Sequence, residues 1–204
     1  LNLLRVAGFS TVRITSQWQP GYVAPPEGEL AALRSVEAAA RLTGVRVIVS
    51  VYHPGSRTTP LTPEAQDQLA RYVGALVAAL PSFDDVVIGN EPNLNRFWLP
   101  QFNLDGSIAS APAYLSLLAR TYDAAKAADP AVRIWGGATS ARGADRPGGQ
   151  RPTTSPTAFV KALGAAYRAS GRTLPVMDGY AHHPYPDTSS QSPDVAHPAS
   201  TTIA

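Results

Sequence analysis

Asp85-Val86-Val87-Ile88-Gly89-Asn90-Glu91-Pro92-Asn93 is the stretch that decides how this chain reads. Its β-branched start has the length and composition of a buried strand. It then breaks off in Asn-Glu-Pro. A carboxylate and a carboxamide are costly to bury without partners. Their place at the end of such a strand therefore marks a position suited to chemistry rather than to core.

The same pattern repeats outward from this stretch. Residues 10–15, 45–52, 86–90, 132–139 and 176–183 read as strands. Residues 1–8 read as the end of a helix, and 29–42, 62–80, 110–128 and 155–170 read as whole helices. Gly44 is placed as a C-terminal stop. Thr62-Pro63-Glu64 supplies a cap, a proline in the first turn and an early carboxylate. Ser110 and Ser155 stand in cap positions. The Gly/Arg-rich segment 140–152 reads as a mobile loop. The Ser/Pro/Thr-rich residues 184–204 have no period, and 186–204 form a loop-like tail.

Strands alternating with helices are the grammar of a parallel sheet. No hairpin signal interrupts it. Neither GxGxxG nor GxxxxGK[ST] occurs, which counts against the nucleotide-binding versions. Loops after the strands are long and chemically dense, whereas loops after the helices are short. That asymmetry predicts an α/β fold of the (β/α)8 TIM-barrel kind, with the active face at the strand C-termini. Strands two to six of the eight are expected, as one partial-barrel domain over 1–204.

Composition bounds the function. The chain has 204 residues, 44% of them hydrophobic, enough for a real core. Its 17 basic and 15 acidic residues are scattered, so no basic stripe favours nucleic acid. No cysteine is present, which excludes disulfides and thiolate chemistry. No apolar run approaches the ~18 residues of a membrane span. No HxH or HExxH spacing points to a metal, and no cofactor is expected. No signal peptide is visible, and oligomeric state is not legible.

Polar groups stand at four of the five strand ends. Arg13 alternates with Val12 and Ile14, so it faces the barrel interior if those two pack under a helix. His53 shares a face with Val47, Val49 and Val51. Asn90 and Glu91 end the third strand. His183 and Tyr185 share one face of His183-Pro184-Tyr185, while His182 points the other way. Convergent titratable groups in a cleft are the layout of an active site. Trp18, Phe97 and Trp98 lie in loops on the same side, either as exposed platforms for a pyranose ring or as packed anchors of those loops. Trp135 and Tyr180 are expected in the core. His197 lies in the tail and gets no role.

Glycosidic cleavage needs a proton donor on the leaving oxygen, a role a glutamate fills when burial favours its neutral form. Glu91 is the candidate. Asn90 can bond a sugar hydroxyl beside the reacting carbon, a contact that strengthens in the oxocarbenium-like transition state. Retaining cleavage requires a second carboxylate, and no glutamate follows Glu91.

The chain resembles the retaining glycoside hydrolases of the large (β/α)8 clan A, families 5 (cellulase-like) and 39 above all. The resemblance rests on Gly8-Phe9-Ser10-Thr11-Val12-Arg13, His53, Asn90-Glu91-Pro92 and His183-Pro184-Tyr185, and covers the chain up to Tyr185. It implies sugar contact for Asn90 and acid/base catalysis for Glu91. It also implies that Arg13, His53, His183 and Tyr185 shape the −1 subsite. A carbohydrate substrate and a secreted location follow from the resemblance alone. In those families a later strand ends in the nucleophilic Glu and another carries a sugar-stacking Trp. Neither strand is recognisable here, so the chain is expected to be a fragment, inactive by itself. Two other readings stay open: a non-catalytic carbohydrate-binding barrel, and an unrelated barrel hydrolase or lyase using Glu91 as a lone base.

Overall fold

The computed structural model describes residues 1–186, 188–190 and 192, so His197 and most of the expected tail lie outside the described residues. After the short helix α1 (Asn2–Val6), strands and helices alternate as β1 (Thr11–Gln17), α2 (Glu27–Thr43), β2 (Arg46–Tyr52), α3 (Pro63–Ala79), β3 (Asp85–Ile88), α4 (Ser110–Ala128), β4 (Arg133–Ser140), α5 (Pro156–Ala169) and β5 (Gly179–His183). The five strands form one parallel sheet in the order β1-β2-β3-β4-β5. Each pair of consecutive strands is bridged by a helical crossover, the arrangement expected of a section of (β/α) barrel.

The local signals act as their chemistry requires. The Thr62 hydroxyl accepts from the Ala65 N–H, with Pro63 in the first turn behind it. Ser155 does the same for Ala158, ahead of Pro156. Gly44 closes α2 in the left-handed conformation, with φ 70°. Ser110 departs from expectation. It is the first helical residue rather than the cap, and its hydroxyl donates instead to the buried Gln101 Oε1. The expected strand 86–90 stops at Ile88 because Gly89 turns to φ 85°. The last strand begins at Gly179 rather than at 176.

Side chains on the helix-facing side of the sheet, Val47, Val49, Val51, Val86, Ile88 and Ile134, pack against Leu69, Tyr72, Val73 and Leu76 of α3 and Leu117 and Leu118 of α4. On α3 the buried positions recur at three- and four-residue intervals, the stripe of an amphipathic helix. Val12 and Ile14 are partly buried against the same core.

The other side of the sheet is polar at both ends. At the N-terminal end of β3, Asp85 is fully buried. It accepts from Arg46 Nε at 2.7 Å, Arg133 Nε and Nη2 at 2.9 and 2.8 Å, and Trp135 Nε1 at 2.8 Å. Burial alone would push its carboxyl up. The bonds from Arg133, Arg46 and Trp135 outweigh that and hold it well below the usual carboxylate range. Trp135, expected in the core, is thus half-buried and polar-bonded in this layer. Tyr180 is half-buried and packs against the core edge, its hydroxyl donating to Thr139 Oγ1.

Candidate active site

The structure brings four of the expected residues together, Asn90, Glu91 and His183 from strand ends and Arg13 from within β1, which runs on to Gln17 rather than ending near Arg13. Arg13 lies opposite to Val12 and Ile14 and reaches from the first strand to the last, its Nη1 2.8 Å from His183 Nε2. Its Nη2 donates to Asn90 Oδ1 at 3.4 Å. His183 Nδ1 lies 3.0 Å from Glu91 Oε1. A guanidinium has only donors, so His183 Nε2 must be the acceptor. The imidazole proton therefore sits on Nδ1 and is donated to Glu91. Arg13 thereby fixes the tautomer of His183, and His183 fixes one oxygen of Glu91. Among the described residues, Oε2 of Glu91 has no hydrogen bond.

The backbone that presents Glu91 is unusual. Glu91 has φ 44°, a left-handed conformation that costs a residue with a Cβ of order 1–3 kcal/mol. Its N–H donates to Ala138 O at 2.9 Å, and Ala138 is itself left-handed with φ 45°. Gly137 precedes it at φ 85°, and the β4–β5 register shifts between Gly137 and Thr139. A bulge here re-aims the strand end, a device common beside active sites.

Beside Glu91 opens a cleft of about 500 Å³, lined by Glu91, Leu94, Thr153, Tyr185 and residues 140–144. Tyr185 is 64% exposed and sets its ring edgewise to His183 at 5.9 Å between centroids. One wall of the cleft belongs to the Gly/Arg-rich segment expected to be mobile. Its base is tied down by hydrogen bonds. Asn93, fully buried, accepts from Ser140 N–H at 2.8 Å and donates to the carbonyls of Ser140, Arg142 and Thr154. Ala144 and Asp145 bond Thr153, which closes the segment on itself. Gln101 ties the preceding loop to this one, donating to Pro92 O and Trp98 O and accepting from Thr154 Oγ1. Sequence reasoning missed both amides. Asn93 had a signal, its place in Asn-Glu-Pro-Asn; Gln101 had none.

Four expected residues stand elsewhere. Trp18 is 0% exposed and Trp98 1%, so neither is a platform for sugar. Trp18 packs in the core and donates Nε1 to Tyr22 O. Trp98 lies edgewise between His53 and Tyr114, whose ring continues the row to Phe159. Both indoles sit under the loops they anchor because burying their large apolar surface outweighs presenting it to water. Phe97 is half-buried, under the Arg96 guanidinium. His53 is buried, and among the described residues no hydrogen bond joins it to Arg13, Asn90, Glu91 or His183. Desolvation lowers its pKa, partly offset by the bond to Gly55 O. His182 faces the other way, Nδ1 against Thr139 Oγ1.

Among the described residues no group of three or more His, Cys, Asp and Glu is placed to hold a metal ion. None of their helices is long and apolar enough to cross a membrane.

No family model matches the chain, and no curated protein matches it in sequence. Solved structures do match. A family 39 glycoside hydrolase from the gut symbiont Bacteroides cellulosilyticus WH2 aligns with a TM-score of 0.65 and 21% identity, over 97% of this chain and 37% of its own. An endo-1,4-beta-mannanase from Eisenia fetida aligns with a TM-score of 0.57 and 16% identity, over 89% of this chain and 58% of its own. A glucosidase from Croceicoccus marinus aligns with a TM-score of 0.56 and 13% identity, over 89% and 39%. The chain thus spans less than two thirds of each of these structures. The likeness establishes the fold as a set of consecutive units of the (β/α) barrel found in glycoside hydrolases.

Proposed function

We propose that this chain carries the acid/base half of a retaining glycoside hydrolase acting on a β-linked glycan. One observation carries the reading: Arg13, reaching from within β1, converges with Asn90, Glu91 and His183 at the C-terminal ends of β3 and β5, beside an open cleft. In this reading Glu91 Oε2, the oxygen left free by His183, delivers a proton to the leaving glycosidic oxygen. It later takes one from water as the glycosyl group is released. Asn90, oriented by Arg13, bonds a hydroxyl of the sugar at the reacting carbon. Tyr185 borders that sugar. In this reading the nucleophilic carboxylate is the glutamate that ends a later strand in the enzymes the chain resembles, and no glutamate follows Glu91 here. The chain alone is therefore inactive, and the whole protein is the enzyme.

The Eisenia fetida enzyme is an endo-1,4-beta-mannanase, which supports a β-glycan as the substrate class here. An extracellular location is part of the same proposal and rests on the family resemblance alone. The non-catalytic binding barrel is weakened by the burial of Trp18 and Trp98, which removes its aromatic platforms.

The test is Glu91→Gln in the whole protein, assayed on phenyl and dinitrophenyl β-glucosides and β-mannosides. Loss of a general acid lowers kcat/KM for the phenyl glycosides by about 10²–10⁴-fold. It spares the dinitrophenyl glycosides, whose leaving group needs no proton. Unchanged turnover of the phenyl glycosides by the variant, or no hydrolysis of any of the four by the unaltered protein, overturns the reading.

A further inference from the structure

The β3–β4 hydrogen-bond ladder ends too early to hold Glu91. Its last paired residues are Val87 and Trp135. The next backbone link beyond them is Glu91 N–H to Ala138 O. Both chains run through left-handed residues in between, Gly89 on one side and Gly137 on the other. Strained conformations persist only where surrounding structure over-determines them.

The side chain that bridges this gap comes from a helix. Tyr114 of α4 is fully buried. Its hydroxyl donates to Ile88 O at 2.6 Å and accepts from Gly137 N–H at 2.8 Å. The two backbone groups belong to the two strands that separate here, and the hydroxyl stands in for the missing ladder bond. The ring is held by Trp98 on one side and Phe159 on the other, with centroids 5.8 and 5.9 Å away. Gly89 has no side chain to obstruct it: a Cβ there would lie 2.9 Å from Tyr114 Cε2. The glycine two residues before Glu91 thus leaves room for the ring.

We propose that Tyr114 is a positioning residue for Glu91. It acts through Gly137 and Ala138, whose carbonyl receives the Glu91 N–H, and through Ile88, three residues before Glu91. The inference rests on the reading of Glu91 as the general acid. Tyr114→Phe keeps the ring and its packing but leaves a buried N–H and a buried carbonyl without their partner. The strand ends then relax, and the carboxyl moves relative to the leaving oxygen. Displacements of about 1 Å can cost on the order of 10²-fold in rate.

The experiment compares Tyr114→Phe, Glu91→Gln and Phe159→Leu in the whole protein. Phe159→Leu disturbs the same aromatic row without touching the hydroxyl. Each is assayed for kcat/KM on the phenyl and dinitrophenyl glycosides and for thermal unfolding. Tyr114→Phe is expected to lose about 10–100-fold on the phenyl glycoside and under about 3-fold on the dinitrophenyl one. Phe159→Leu, even where it lowers the melting temperature as much, should change both substrates alike. Equal losses on the two substrates in Tyr114→Phe, or no loss on either, while Glu91→Gln remains leaving-group selective, overturns the role of Tyr114 alone. If Glu91→Gln shows no selectivity, the reading of Glu91 fails, and the inference falls with it.

Discussion

Asp85→Asn should destabilise the fold at the end of the sheet opposite the cleft. The carboxylate accepts from two guanidinium groups and one indole, and so binds β2, β3 and β4 together where they begin. The amide can keep one edge as an acceptor, but it turns an NH2 toward donors on the other. Removing one partner of a buried ion pair costs about 3–5 kcal/mol. Arg46 and Arg133 are 47% and 46% exposed, so water recovers part of their loss. A cost of about 2–4 kcal/mol remains, or roughly 5–15 °C in Tm for a domain of this size. Thermal unfolding followed by circular dichroism measures it. The sign of the pH dependence is fixed by the depressed carboxyl pKa in the folded state. The stabilisation is complete above the unfolded value of about 4 and is lost as pH falls below it toward the folded value. The Tm gap between Asp85 and the variant should be constant from pH 7 to about 5 and narrow steadily below about 4. Equal Tm at pH 7, or a gap undiminished at about pH 2, would refute the argument.

Two further outcomes follow from the loops. Trp98→Ala should cost about 3–5 kcal/mol by opening a cavity between His53 and Tyr114, whereas Trp98→Phe should be milder, since it also removes a buried Nε1 that has no partner. Thermal unfolding measures both, and a Trp98→Ala protein of unaltered Tm would show that the indole is not core. Asn93→Ala deletes the bonds that anchor 140–154 at its base, and trypsin should then cut after Arg142, whose next residue is Gly143, at least about 10-fold faster. Unchanged cutting would mean that the segment is held by other contacts.

The elements were legible because each is specified locally. Thr62-Pro63, Ser155-Pro156 and Gly44 set helix ends through bonds made within a few residues, and β-branched runs set the strands. Arg13 was legible as inward-facing because alternation along a strand is a local rule. Its bond to His183 was not, since 170 residues separate the two. Trp18 and Trp98 stayed undecided between sugar platform and loop anchor for a physical reason: one apolar ring suits a sugar face and a core equally well, and only the path of the surrounding loop decides. Ser110 looked like a cap because serine before a helix usually is one. The competing acceptor, Gln101, lies nine residues back in an irregular loop. Tyr114 carried no sign of its task, since an aromatic residue on the apolar face of a helix reads as packing alone.

Strand order equals chain order throughout this sheet. Every pairing can therefore form as soon as the newer strand leaves the ribosome, by addition to the edge of the one before. Arg13 is made early and waits. Asn90 and Glu91 follow at the middle of the sheet, and His183 comes with the final strand, the last of the four to arrive. Synthesis thus ends, for these five strands, on the residue that joins the first strand to the carboxylate. A ribosome stalled before β5 would carry a folded, well-packed sheet whose Glu91 has no hydrogen-bond donor from His183.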